Sequence, residues 1–138
     1  MRTFTVFIPG IPAPQGSKRH VGRGILIESS KKLAPWRTLV AYTLGNHPGL
    51  ELIDSGPIHI GIAVTMPRPK STPKTRPTPP AVKKPDLDKL VRAILDAGSG
   101  VAWRDDSQVI SITATKRVAE LHEQPGAKLS ITAIGVPQ

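Results

Sequence analysis

Five of the ten acidic residues of this chain fall within residues 85–109. Four of them form two close pairs, Asp86 with Asp88 and Asp105 with Asp106, and the fifth is Asp96. Crowded carboxylates repel one another, so such a cluster needs positive charge among its members. A bound divalent cation supplies that charge, and so do neighbouring lysine and arginine side chains.

The positions of the two pairs favour a metal site. Asp86-x-Asp88 stands at the predicted start of a helix, and Asp105-Asp106 precedes a predicted strand. Because residues 98–102 form a turn, we expect the strand to pass the helix start and bring the pairs together. Carboxylate ligands in a chain without cysteine suit Mg²⁺ or Mn²⁺ rather than zinc. Asp-x-Asp alone is also what a surface helix cap contains, so that alternative stays open.

Carboxylates and cations side by side are suited to phosphoryl chemistry. A metal ion held by carboxylates polarises a phosphodiester oxygen, lowers the pKa of bound water and stabilises the leaving oxygen. A nearby cation neutralises the charge that develops at phosphorus. Lys89 and Arg92, both on the predicted helix, are candidates for that role.

The overall charge favours a polyanionic partner. The chain carries a net charge of +9 over 138 residues, which attracts nucleic acid first and an anionic membrane second. The membrane alternative lacks a basic amphipathic helix, and no apolar run reaches the roughly 20 residues of a membrane span. A second alternative is that the charge only confers solubility. The absence of cysteine fits a reducing cytoplasm.

Residues 67–85 form a distinctive segment that combines proline with positive charge. Seven of the fifteen prolines lie there, which predicts a mobile, extended loop rather than a helix or strand. We interpret it as a DNA-contacting flap beside the acidic residues, with a passive disordered loop as the alternative. Together with the end of an earlier loop, its basic side chains make up the predicted DNA-binding set: Lys18, Arg19, Arg68, Lys70, Lys74, Arg76, Lys83 and Lys84.

Hydrophobic periodicity predicts one α+β domain over residues 1–138. Strands are expected over 3–8, 22–28, 56–66, 108–116 and 128–134, and helices over 35–44 and 87–97. The order β-β-α-β-α-β-β describes a single mixed sheet with two helices packed on it. The last two strands are expected to pair as a hairpin, with Ile110, Ile112 and Ala114 facing inward.

The acidic block resembles the RusA family of Holliday-junction endonucleases, which phages and prophages often carry. A basic N-terminal loop with Pro12-x-Pro14 also fits. The likeness is carried mainly by Asp86-Leu87-Asp88, Arg92, the run 94–97 and Trp103-x-Asp105-Asp106-Ser107-Gln108-Val109.

The resemblance implies a homodimer that binds four-way DNA junctions and cuts them symmetrically by Mg²⁺- or Mn²⁺-dependent hydrolysis in the cytoplasm of a bacterium or phage-infected cell. It assigns the metal to Asp86, Asp88 and Asp106, with Asp105 adjacent. Family members usually have asparagine where this chain has Lys89 and a catalytic lysine where it has Arg92. Arginine keeps the charge but does not donate a proton at neutral pH. Arg92 is therefore purely electrostatic, or Lys89 replaces it, or activity is reduced.

Two other functions remain as alternatives. A non-catalytic DNA-binding module would bind DNA in a salt-dependent manner and be indifferent to Mg²⁺. A nucleotidyl or sugar-nucleotide transferase that uses Asp-x-Asp would need a phosphate-binding glycine loop, which this sequence lacks.

Overall fold

The computed structural model describes residues 1–16 and 31–135, together with the backbone of 19–20 and 26–27. A four-stranded sheet contains β1 (Arg2–Pro9), β4 (Ile58–Met66), β5 (Val109–Val118) and β6 (Gly126–Ala133). The short strands β2 (Arg19–His20) and β3 (Leu26–Ile27) pair separately, and the helices are α1 (Leu33–Gly45) and α2 (Leu87–Gly98). One mixed sheet with two helices confirms the predicted α+β class. The predicted strand over 22–28 lies largely outside the described residues.

The core forms where alternating strand residues meet the apolar faces of both helices. In β4, Ile58, Ile60 and Ile62 are buried, as their alternation predicts. The helices contribute fully buried side chains to the same core, among them Trp36, Leu90 and Ile94. Neither α1 nor α2 is long and apolar enough to cross a membrane, and the described part of the chain contains no other helix that is.

The order of the strands differs from the predicted hairpin of β5 and β6. The sheet runs β1-β6-β4-β5: β6 is antiparallel to both β1 and β4, and β5 is parallel to β4 at the edge. The physical reason is the connection from β4 to β5, which contains α2, and a helical crossover joins parallel strands. The inward residues of β6, such as Leu129 and Ile131, are fully buried, which suits an inner strand.

The inward orientation expected for the start of β5 is also wrong. Ile110 is 66% exposed and Ile112 is 43% exposed, while Ala114 is only partly buried. Among the described strands β5 pairs with β4 alone, and its register shifts between the partners of Ile58 and His59. An alternating pattern on such an edge strand therefore does not bring every apolar residue into the core.

The end of α2 is held by close packing against a tryptophan. Gly98 is its last residue, and a Cβ atom placed there would lie 2.4 Å from Cη2 of Trp103. Trp103 is fully buried. The absence of a side chain at Gly98 therefore lets the indole ring sit directly on the helix end.

We expect Gly98→Ala to lower the free energy of unfolding by about 1–3 kcal/mol, because the new methyl group overpacks the tryptophan site. Urea denaturation followed by tryptophan fluorescence measures this. Gly45→Ala is the matched control, since its Cβ would meet only Val101 Cγ1 at an ordinary 3.5 Å. An unfolding midpoint for Gly98→Ala equal to that of the parental protein would contradict the packing described here.

Candidate active site

Asp86 and Asp88 project into solvent at the start of α2. Asp86 is the N-cap residue with an extended backbone, at φ −69° and ψ 143°, and within the described residues its carboxylate makes no capping hydrogen bond. Asp88 lies in the first turn, where its Oδ2 is 3.7 Å from Nζ of Lys89. Both aspartates are exposed. The helix-cap alternative therefore accounts for the position of Asp86 at the start of α2 but not for its carboxylate.

Asp105 and Asp106 are held by local hydrogen bonds before β5. Asp105 caps a short 3₁₀ turn: its Oδ2 accepts from the backbone N–H of Ser107 at 2.9 Å, and its own N–H donates to Gln108 Oε1 at 2.9 Å. Asp106 Oδ1 accepts a hydrogen bond from Nε1 of the buried Trp103 at 2.8 Å. Each carboxylate of this pair thus has one oxygen engaged within the chain.

The two acidic pairs lie at opposite ends of α2. Asp106 accepts a hydrogen bond from Trp103, and Trp103 packs on Gly98 at the C-terminal end of the helix. Asp88, in contrast, lies in the first turn of the helix. Gly98 is ten positions after Asp88 in the helix, which is about 15 Å along the axis at 1.5 Å per residue. The turn at 98–102 therefore does not bring the pairs together within one chain.

The types of the predicted metal ligands favour a metal site, whereas their arrangement within one chain does not. Every predicted ligand is a carboxylate, which suits Mg²⁺ or Mn²⁺. In the described ranges, however, no three acidic or histidine side chains are grouped closely enough to hold an ion. One chain thus offers the right ligand types without assembling three of them. The metal and catalytic roles of Asp86, Asp88, Asp105, Asp106, Lys89 and Arg92 stay predictions.

A pocket of about 770 Å³ opens beside the start of α2. Asp86 and Lys89 line it, facing the N-terminal loop 11–16 and part of the proline-rich segment 67–85. The backbone N–H of Gln15 donates to the carbonyl of Lys89 at 3.0 Å, which joins the N-terminal loop to the helix. Lysine amines and one carboxylate on the pocket wall are a suitable surface for a phosphate-bearing ligand.

The sequence alone singled out neither of two further lysines that line this pocket, Lys32 before α1 and Lys116 on β5. Nζ of Lys116 donates to the carbonyl oxygens of Lys83 at 2.9 Å and Pro85 at 2.8 Å, directly before Asp86. A signal was present, because Lys116 continues the alternation that contains Ala114 and Val118 and is the charged member of that series.

The predicted flap is organised by one of its own cations. The guanidinium of the half-buried Arg68 donates to Thr78 Oγ1 at 2.6 Å and to the carbonyls of Arg76 and Pro73 at 2.9 and 3.3 Å. Thr78 in turn donates to Glu120 Oε2 at 2.6 Å, which attaches the segment to the end of the sheet. Arg68 thus shapes the loop.

The other predicted DNA-binding residues of the flap are displayed outward. All are exposed and available to a polyanion: Lys70, Lys74, Arg76, Lys83 and Lys84. The side chains of Lys18 and Arg19 lie outside the described residues. Contact of any of these side chains with DNA stays a prediction.

A small α+β fold with an exposed aspartate pair beside a cationic pocket fits the class of DNA-cleaving enzymes. A sequence model described as endodeoxyribonuclease RusA matches residues 9–132, nearly the whole chain. An uncharacterised protein of Bacillus subtilis strain 168, YqaN, is 30% identical over 131 residues, covering 85% of this chain and 87% of the relative. The chain belongs to the RusA family of endodeoxyribonucleases, which act on branched DNA junctions.

The charge state of Asp105 provides a test of the site geometry. The hydroxyl of Ser107, followed by its backbone N–H, lowers the pKa of Asp105 below its ordinary value. We expect Ser107→Ala to raise the pKa of Asp105 towards that value, because only the backbone donor remains. Carboxyl ¹³C NMR titration measures the shift. Ser111→Ala is the control, and an unchanged Asp105 titration in Ser107→Ala would contradict the described turn.

Proposed function

We propose that this protein is a homodimeric, Mg²⁺-dependent endonuclease that resolves four-way DNA junctions by cutting two strands symmetrically, with Mn²⁺ able to replace Mg²⁺. The substrate would be recombination or repair intermediates in the cytoplasm. The observation that carries the proposal is the exposed Asp86–Asp88 pair beside a cationic pocket in a chain of the RusA family. This motif occupies the position that the family resemblance assigns to metal ligands.

In this proposal the metal is held by Asp86, Asp88 and Asp106, with Asp105 next to them. When bound, such an ion polarises the phosphodiester and activates water. Lys89 sits beside Asp88 and Arg92 lies one turn further along α2, where both place positive charge near the developing phosphorane. The exposed cations of residues 70–84 bind the DNA arms through phosphate contacts.

A homodimer is supported by the separation of the acidic pairs. One chain holds Asp86 and Asp106 at opposite ends of α2. In a dimer with a twofold axis the second copy runs in the opposite direction, so its Asp106 can lie beside Asp86 of the first copy. Asp106 of one subunit can thus complete a site that begins with Asp86 of the other. The edge of β5, with Ile110 and Ile112 exposed, offers an apolar surface for such a contact. Two sites also match the two strands to be cut.

We expect Asp86→Asn and Asp106→Asn each to slow junction cleavage by about 1,000-fold, since a metal stabilises the transition state by several kcal/mol and each 1.36 kcal/mol is tenfold. Asparagine at 106 keeps an oxygen for the Trp103 N–H. Cleavage of a synthetic four-way junction and of a linear duplex, with and without Mg²⁺, is the measurement, alongside gel-shift binding.

Glu51→Gln, an exposed acid outside the site, is the control and should cut normally. Parental cleavage rates in the aspartate variants would show that the site is wrongly assigned. A parental protein that binds junctions in a salt-dependent way but never cuts, whatever the metal, would instead favour the non-catalytic DNA-binding alternative.

Mixing subunits tests whether the site is shared. In a mixed dimer of Asp86→Asn and Asp106→Asn, a shared arrangement leaves one intact site, so nicking of one strand should return. A mixture of Asp86→Asn with Asp88→Asn should stay inactive, because both changes lie in the same acidic pair. Sedimentation should give twice the 14.8 kDa of one chain. No recovery in the first mixture would place all ligands within a single subunit.

A further inference from the structure

Lys116 is an unusual side chain for its position in the sheet. It pairs in register with the buried Val64 of β4 and is itself only partly exposed. Moving an ammonium group even partly out of water is unfavourable unless hydrogen bonds replace the lost hydration. The hydrogen-bond partners of Lys116 therefore explain how a lysine can occupy this partly buried position on β5.

Those partners are carbonyl oxygens. In the described part of the chain Nζ donates to Lys83 and Pro85, which lie 33 and 31 residues away in sequence, rather than to a carboxylate. An ammonium group has three N–H donors, and hydrogen bonds from a charged donor are about twice as strong as neutral ones. Lys116 thus fastens an irregular segment to the sheet.

That segment leads directly into the candidate site. Pro85 precedes Asp86, whose backbone carbonyl accepts the first helical hydrogen bond from Leu90 at 3.2 Å. On the other side of the pocket, the backbone N–H of Gln15 donates a hydrogen bond to the carbonyl of Lys89. The start of α2 is therefore anchored from two directions, with Lys116 providing the anchor from the sheet.

We propose that Lys116 is a positioning residue for cleavage: it fixes the place of the Asp86 carboxylate and supplies a fixed positive charge to the pocket wall. The inference rests on the proposed nuclease function and adds a residue from β5 to it. Loss of such support displaces a reacting group, and a displacement of about 1 Å costs on the order of 100-fold in rate.

The test compares Lys116→Met, Lys116→Arg and the control Lys128→Met in the full chain. Lys128 is an exposed lysine on β6 outside the pocket. Single-turnover junction cleavage, junction affinity without Mg²⁺ and urea unfolding are measured for each. We expect Lys116→Met to lose about 100-fold in rate with a much smaller change in affinity. Arginine should restore much of the rate because its guanidinium can donate to both carbonyls.

Backbone hydrogen exchange gives a readout that does not depend on cleavage. The N–H of Leu90, which bonds to Asp86, should exchange faster in Lys116→Met and close to normally in Lys116→Arg. Parental cleavage and exchange in Lys116→Met would overturn the inference while leaving the nuclease proposal intact. A rate loss explained by a smaller folded fraction would also overturn it. Faster Leu90 exchange in Lys116→Met, found together with a parental protein that never cuts, would support the anchor and reject the nuclease function.

Discussion

The parallel pairing of β4 with β5 is the constraint on which the arrangement of the acidic residues depends. Parallel neighbours require a crossover, and here α2 provides it by running back between the end of β4 and the start of β5. The first turn of α2 consequently lies where both strands end, and the residues that enter β5 lie where both begin. Asp86 and Asp106 are separated by that geometry, however close they are in sequence.

The same constraint explains why Lys116 is found beside the start of α2. It lies near the end of β5, ten residues after Asp106. An extended strand covers about 3.3 Å per residue, so ten residues carry the chain the length of the sheet. Lys116 therefore lies at the end of the sheet where Asp86 is found, and Asp106 lies at the opposite end. A second subunit related by twofold symmetry would reverse this arrangement.

Hydrogen bonds from cationic side chains to backbone carbonyls give the irregular segments their shape. Arg68 bonds to three groups within residues 73–78, and Lys116 bonds to two carbonyls just before α2. Proline supplies no backbone N–H, so a proline-rich segment cannot stabilise itself by a ladder of its own. Arg68 and Lys116 therefore have structural roles, whereas five other cations of residues 70–84 are exposed to a polyanion: Lys70, Lys74, Arg76, Lys83 and Lys84.

The amino-acid sequence by itself determined the two helices, the four strands of the main sheet, the α+β class and the family, because apolar periodicity and the Asp-x-Asp and Asp-Asp-Ser-Gln-Val blocks are local. It did not determine which strands became neighbours or which alternating residues were covered. Those depend on contacts between distant segments: β6 entered between β1 and β4, and Ile110 was left on an edge. Only the tertiary structure separated the aspartate pairs and placed Lys116 beside Pro85, because both follow from the direction of a crossover rather than from spacing along the chain.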